Sequence, residues 1–356
     1  MLVHICCSVD SDYFLKRLCE FYKAKDLVAY FYDPNIHPYS EYLLRLNDVK
    51  RSCKKLKIKF LAGEYNFKSW LGGTKGLENE PEKGARCAYC FDFRLENTAK
   101  KALELGQKTI TTTLLMSPKK DFEVLKASLE KICSKYDLNF VAPDFRKNGG
   151  TTEQFKNAKE QKLYHQNYCG CLYALNMSRN EANLSELSCP INRQIQPGSA
   201  AWREKIFKKV RKLEKKGKKF ELLKAKITNY RLISAKLTLN NEPKYSYFIF
   251  KSILNKESSS FTISEIKNNE IYSAKDYILL ISLRLFNKLS NCDFKSTKEL
   301  YFHAPSLKKE LKVRKKLCGA LSTNPIIVLD KIEPGKATIT LKASEFSSII
   351  QLPYKW

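Results

Sequence analysis

Short apolar runs alternate with longer amphipathic segments through the first half of this chain, and the alternation predicts its elements. Residues 2–5, Leu-Val-His-Ile, form a brief strand that runs straight into Cys6-Cys7. Over 12–23 the apolar Phe14, Leu15, Leu18 and Phe21 recur at helical spacing. A strand over 27–32, a helix over about 40–56 and a strand over 58–62 follow. A helix is predicted over 86–105, stopped by Gly106, then a strand over 109–115 and a helix over 119–134. A strand over 139–142 and a helix over about 152–165 complete this half. Strands separated by helices of this length predict an α/β fold, a parallel sheet with helices on both faces. In such sheets ligands bind beyond the carboxyl ends of the strands. Cys6 and Cys7 follow the first strand, Met116-Ser117-Pro118 the fourth and Asp144 the fifth, so the polar signatures fall on that edge.

The texture changes after Cys189-Pro190. Gln196-Pro197-Gly198-Ser199 is a turn or linker signal, and 201–226 is a lysine-laden helical stretch with Trp202, Ile206, Val210 and Leu213 on one side. Segments 227–239, 244–253 and 260–266 alternate like antiparallel strands, with Asn240-Asn241-Glu242-Pro243 between the first two. Strand candidates 325–329 and 337–341 come before Trp356. We therefore expect two domains: 1–195, carrying the chemistry, and 201–356, a smaller basic α+β domain.

Charge sharpens this picture. The 356 residues carry a formal net charge of +27, distributed unevenly. Residues 1–200 hold 31 basic and 23 acidic side chains, and 201–356 hold 33 and 14. Ten Lys or Arg fall within 201–219 alone. An excess this lopsided points to a polyanionic partner, most plausibly nucleic acid, against the bland alternative of a solubilising lysine-rich surface. No stretch approaches 18 uninterrupted apolar residues, so no membrane partner is expected. The first residues show no secretory pattern, and with 12 cysteines the chain is expected in a reducing, cytoplasmic compartment. Clustered cysteines there bind metal or do redox work more often than they form disulfides.

Seven positions make the candidate chemistry: Cys6, Cys7 and Asp10, then Cys87-x-x-Cys90, then Cys169-Gly170-Cys171. The Cys87/Cys90 gap at a helix start lets both sulfurs reach one metal or cluster edge, yet fits zinc, an iron–sulfur cluster or a redox pair equally. Six thiols exceed the four ligands of one zinc or one four-iron cluster, which leaves a redox pair or a second metal. Asp10, a hard oxygen donor, suits a lone ferrous ion. Cys19, Cys53, Cys133, Cys189, Cys292 and Cys318 read as packed thiols. Of the histidines, His165 is the best candidate to face the centre, against the alternative of a surface position. Lys75, Arg86, Arg94 and Arg146 are basic groups near the edge, and Tyr13, Tyr32 and Tyr89 are stacking candidates; surface charge and core packing are the plain alternatives. No glycine-rich phosphate loop is present, which disfavours ATP use.

Five ordered signatures carry a resemblance: Leu2–Cys7, Gly84–Ala99, Thr111–Pro118, Asp144–Gly150 and Tyr168–Cys171. Over roughly residues 1–190 the chain resembles the epoxyqueuosine reductases of the QueH family. The resemblance implies a Rossmann-like fold related to adenine-nucleotide hydrolase-like and PP-loop proteins. It implies removal of the epoxide oxygen from epoxyqueuosine at the tRNA wobble position, with a [4Fe-4S] cluster, an adjacent mononuclear iron and no cobalamin. Cys6, Cys7, Cys87, Cys90, Cys169 and Cys171 are then the metal or redox cysteines, with Cys6, Cys169, Cys171 and Asp10 closest to catalysis. Many relatives read Cys-Cys-Ala-Pro-Cys at the first site; here Val9 and Asp10 stand in the last two places. The implied partners are tRNA bearing epoxyqueuosine and a reductant protein such as a ferredoxin or flavodoxin. His165 or Asp144 are expected near the departing oxygen, and the 201–219 segment on tRNA phosphates. The alternatives are a PP-loop-like tRNA thiolation enzyme and a zinc-stabilised RNA-binding module.

Overall fold

The computed structural model describes residues 1–178, 192 and 194–355. Its contacts divide the chain into two compact units: Met1–Asn180 with Arg203–Leu223 and Gln351–Trp356, and Glu181–Trp202 with Lys224–Ile350.

The first unit is built on a five-stranded sheet of β1 (Leu2–Ile5), β2 (Val28–Phe31), β3 (Lys59–Ala62), β4 (Thr109–Thr112) and β5 (Asn139–Phe140). The order is β3-β2-β1-β4-β5, and every pairing is parallel. β1 and β2 are buried along their whole length, as strands covered on both faces must be. The helices are α1 (Ser8–Leu18), α2 (Tyr39–Lys55), α3 (Phe67–Gly73), α4 (Ala85–Glu104), α5 (Phe122–Tyr136), α6 (Gly150–Glu160) and α7 (Leu172–Ser178). α1 packs against α2 and α6, and α4 against α5. Right-handed crossovers put the helices between β1 and β3 on one face and those between β3 and β5 on the other. Phe14, Leu15 and Leu18 of α1, Leu95 of α4 and Leu129 of α5 fill the core with Val3, Ile5, Phe31 and Ile110.

The chain leaves β1 for β2 on one side and returns to β4 on the other. The crevice between β1 and β4 is therefore the switch point of the sheet, where ligands collect.

Several boundaries differ from the sequence reading. α1 begins at Ser8, directly after Cys7, so the first cysteine pair and Asp10 sit at a helix entrance rather than in a loop. The fourth strand stops at Thr112 because Thr112 Oγ1 accepts the Leu114 amide and turns the chain into a 3₁₀ segment. Phe21, expected on the helical apolar face, lies beyond the end of α1 and is exposed.

The lysine-rich stretch also behaves differently. It forms helix α8 (Ala200–Lys215), then turns at Gly217, whose φ of +58° only glycine adopts readily, and enters strand β6 (Glu221–Leu239). Residues 203–223 belong to the first unit, not to a domain beginning at 201. Phe207, Val210, Leu213 and Phe220 bury themselves against Leu44 of α2 and Tyr164.

The second unit combines a sheet ordered β10-β11-β12-β8 with one ordered β7-β6-β13-β9. The first is β8 (Tyr247–Phe248), β10 (Ile271–Ser273), β11 (Leu279–Ser282) and β12 (Ile326–Leu329); only its β11–β12 pairing is parallel. The second adds β7 (Glu242–Pro243), β9 (Ser258–Ile263) and β13 (Gly335–Tyr354), the last extending far beyond the expected 337–341. Helices Leu283–Ser290, Thr297–Phe302 and Leu307–Cys318 were not visible in the alternation pattern. Glu310 anchors this unit: buried, it accepts hydrogen bonds from Tyr247 Oη and the Phe250 amide, each at 2.7 Å. No described helix is long and apolar enough to cross a membrane.

Candidate metal centre

The strand-to-helix turn after β1 brings the first three donors together. The ligand atoms of Cys6, Cys7 and Asp10 lie within 4.8 Å of one another, and all three residues are buried. Cys6 Sγ is 3.9 Å from Cys7 Sγ and 3.7 Å from Asp10 Oδ2. The adjacent cysteines share one side because Cys7 is the last extended residue and the helix starts at Ser8. Asp10 then lies one helical turn beyond Cys6.

β4 closes the switch point over this turn. Thr113 Oγ1 accepts from the Cys6 amide at 3.3 Å and lies 3.7 Å from Cys6 Sγ. Thr112 Oγ1 is 2.8 Å from His4 Nδ1, and Tyr32 O is 3.0 Å from His4 Nε2. Thr111 Oγ1 donates to Val141 O at 2.6 Å. The three threonines thus stitch β4 to β1 and to the chain after β5. His4, wholly buried, has its pKa lowered to about 3, chiefly by burial and then by Arg94, and is a neutral brace.

Asp10 is held by Gln154, whose Nε2 donates to Oδ1 at 2.6 Å from α6. Burial raises the Asp10 carboxyl to about 6, opposed by hydrogen bonds from Cys7, Cys6 and Gln154. The Cys7 thiol is also pushed up, by its contact with Cys6 and by burial. These groups resist charge as they stand, and a bound cation would reverse that preference. A soft–hard set of two sulfurs and one carboxylate fits iron well.

The other sulfurs gather elsewhere on the same edge. Cys90 on α4, Cys169 and Cys171 share one apolar cluster with the fully buried Trp70 of α3. Gly170 makes the tight pair possible: its φ is +106°, and a Cβ there would lie 2.8 Å from Ile36 Cγ1. The Cys171 amide donates to Cys169 Sγ at 3.3 Å. Cys169 is lowered to about 5, first by the hydrogen bond from the Cys171 thiol, with Lys120 and Arg45 also favouring the thiolate. Cys171 is correspondingly raised. Cys87, one turn before Cys90, is half-buried and its Sγ accepts from the Lys83 amide at 3.3 Å. Among the described residues only Cys6, Cys7 and Asp10 meet as a compact donor group.

Arg94 connects the two groups electrically. It lies one turn beyond Cys90 on α4, buried, and its Nη1 donates to Asp33 Oδ1 at 2.6 Å and Asn35 Oδ1 at 3.2 Å. Its charge is favoured by Asp33, Cys90, Cys6 and Cys169, against burial. Arg45 of α2 grips the third cysteine piece: it pairs with Glu41 at 2.8 Å and donates to the carbonyls of Cys169 and Tyr168, each at 3.0 Å.

The remaining expectations find definite places. Asp144 accepts from Arg146 Nε at 3.1 Å, and Arg146 Nη1 donates to Lys120 O at 3.0 Å, so this motif positions the loop carrying Lys120. His165 is exposed and stacks on Phe155, so neither group first expected near the reacting oxygen is placed among the cysteines. Arg86 is buried and bonded to the carbonyls of Leu77 and Glu78, while Lys75 is exposed. Tyr32 is buried, its Oη bonded to Asn66, and Tyr89 tilts against Phe93. Cys53 and Cys133 are buried core thiols; Cys189 lies outside the described residues. Asp33, Arg45, Lys120 and Gln154 escaped sequence reasoning. Only Asp33 carried a usable signal, a carboxylate just past the carboxyl end of an apolar strand.

The sequence profile of the family "Epoxyqueuosine reductase QueH" matches residues 1–177, the stretch that holds all seven candidate ligands. The epoxyqueuosine reductase QueH of Helicobacter pylori is 40% identical over 352 residues, covering 93% of this chain and 94% of that protein. The chain belongs to the QueH family. The QueH proteins of Acinetobacter baylyi and Thermotoga maritima are 39% and 34% identical, each over 49% of this chain and over 80% and 90% of their own lengths. The second half of the chain is thus shared with the Helicobacter QueH but is not needed for the match to these shorter ones.

Proposed function

We propose that this chain is a tRNA epoxyqueuosine reductase whose centre is assembled from Cys6, Cys7, Asp10, Cys87, Cys90, Cys169 and Cys171. The observation that carries the reading is the pairing of a buried Cys6/Cys7/Asp10 group with a second sulfur group, both at the carboxyl edge of a sheet in a chain of this family. The reaction takes two electrons and two protons to turn the epoxide into an alkene and water. When bound, a four-iron cluster with an adjacent iron supplies electrons singly and a Lewis acid for the epoxide oxygen. Cys90, Cys169 and Cys171 are the natural holders of the cluster, Trp70 keeping water from their sulfurs. Cys6, Cys7 and Asp10 are the natural holders of the lone iron, with Gln154 fixing the carboxylate plane. Arg94 and Lys120 offset the thiolate charge. The anticodon nucleotide must be splayed out to reach the switch-point crevice. An external donor such as a ferredoxin or flavodoxin replenishes the electrons, and the compartment is the cytoplasm.

Metal content separates this reading from a zinc-stabilised RNA-binding module. After anaerobic purification or reconstitution the protein is expected to be brown, with iron exceeding acid-labile sulfide. Colourless protein holding one zinc and no iron would refute it.

A further inference from the structure

Helix α8 is built as a two-sided element. Phe207, Val210 and Leu213 face Leu44 and Tyr164 of the first unit. Lys205, Lys209, Lys212 and Lys216 recur at intervals of four, three and four and are all exposed. That spacing sets them in one row, roughly 16 Å long, on the side opposite the buried one. Lys208, Lys215, Lys218 and Lys219 are exposed beside it. Between 203 and 219 there are ten basic and two acidic residues, and both acids are engaged. Glu204 pairs with Lys208 at 2.7 Å, and Glu214 with Arg51 at 2.7 Å and Lys55 at 3.3 Å. Among the described residues no carboxylate pairs with the four lysines of the row.

The same helix α2 that receives α8 through Leu44, Arg51 and Lys55 also carries Arg45, which grips the carbonyls of Cys169 and Tyr168. One rigid helix thus ties the lysine row to the third cysteine piece within a single unit.

We infer that the exposed lysine row of α8 is the phosphate-binding surface of the catalytic unit, and that it, not the lysines of the second unit, supplies most of the affinity for the RNA backbone. This rests on the tRNA reductase reading, and it locates the backbone grip that the reading leaves open. Point-like ammonium groups in a row suit a polyanion recognised by charge rather than by base edges. A second helix gives a matched comparison: Leu307–Cys318 of the other unit exposes Lys308, Lys312, Lys315 and Lys316.

The test uses the full chain and an unmodified, in vitro transcribed tRNA, so binding is read without turnover. The quadruple variant K205Q/K209Q/K212Q/K216Q keeps helix propensity and spares the Lys208–Glu204 pair. Its affinity at low salt is expected to fall by at least about tenfold, and the slope of log affinity against log salt to shrink by about 2 to 3. K308Q/K312Q/K315Q/K316Q, with the same change in net charge, is expected to lose less than about threefold. Unchanged binding in the first variant, or equal losses in both, would overturn the inference. Failure of the reductase reading would look different: wild-type protein would bind this transcript yet leave epoxyqueuosine intact in a separate tRNA that carries it.

Discussion

Asp10→Asn is expected to lower turnover on the order of 10²-fold or more without destabilising the fold. Outer-shell partners of metal ligands typically cost 10–100-fold, and a direct ligand, the role proposed for Asp10, should cost at least as much. The stability half of the expectation follows from burial. Asp10 is buried and its carboxyl is raised to about 6, so the charge is a burden to the metal-free fold. Asparagine keeps the shape and still presents an oxygen to Gln154 Nε2. Loss of about one iron per chain with sulfide content unchanged would place the defect at the lone iron rather than at the cluster. Full activity with unchanged iron would remove Asp10 from the centre.

Arg94→Met should be the most destabilising substitution in the site, by about 3–5 kcal/mol, because it strands a buried carboxylate. Asp33 is fully buried, Oδ2 has no hydrogen-bond partner among the described residues, and Arg94 is its ion pair at 2.6 Å. Burial raises Asp33 to about 7, with Arg94 first and Arg45 second pulling it back down. Because this folded-state value lies above the unfolded one, the folded form holds the extra proton. Its stabilising contribution is complete below the unfolded value near ~3.9 and is lost as pH rises through about 7. Removing Arg94 raises Asp33 further and carries the loss to higher pH. The deficit of the variant in urea denaturation should therefore be larger at about pH 8.5 than at about pH 5.5. Adding Asp33→Asn should recover part of it and flatten the pH dependence. A deficit independent of pH, unaltered by Asp33→Asn, would mean that the pair is not the cause.

The sheet and the cysteine pieces were legible because each depends on local pattern. β1 and β2 are buried runs that are apolar apart from His4; Cys6, Cys7, Cys169 and Cys171 lie just before helices, and Cys87 and Cys90 lie in the first two turns of α4. The polar frame was not legible, since its members meet only after folding. Gln154 reaches Asp10 across 144 positions, Arg45 reaches Cys169 across 124 and Arg94 reaches Asp33 across 61. Gln154 and Arg45 read in sequence as ordinary helical polar residues; Arg94 stands out as a basic group near the edge, but nothing in the sequence names Asp33 as its partner. The cut near 200 followed a real change in composition, but hydrophobic burial decides membership. Phe207, Val210 and Leu213 take α8 back to the first unit while its lysines remain outside. Asp144 and His165 were chosen as titratable groups near motifs; Arg146 claims the first, and the second stacks in the open.

The most direct measurement is turnover. Reconstituted protein, a chemical or protein reductant and tRNA bearing epoxyqueuosine are incubated anaerobically, and the wobble nucleoside is analysed by mass spectrometry. We predict loss of one oxygen atom to give queuosine in the wild type, abolished when Cys6 or Cys169 is replaced by serine. Epoxyqueuosine recovered unchanged from protein shown to hold both iron and sulfide would contradict the account.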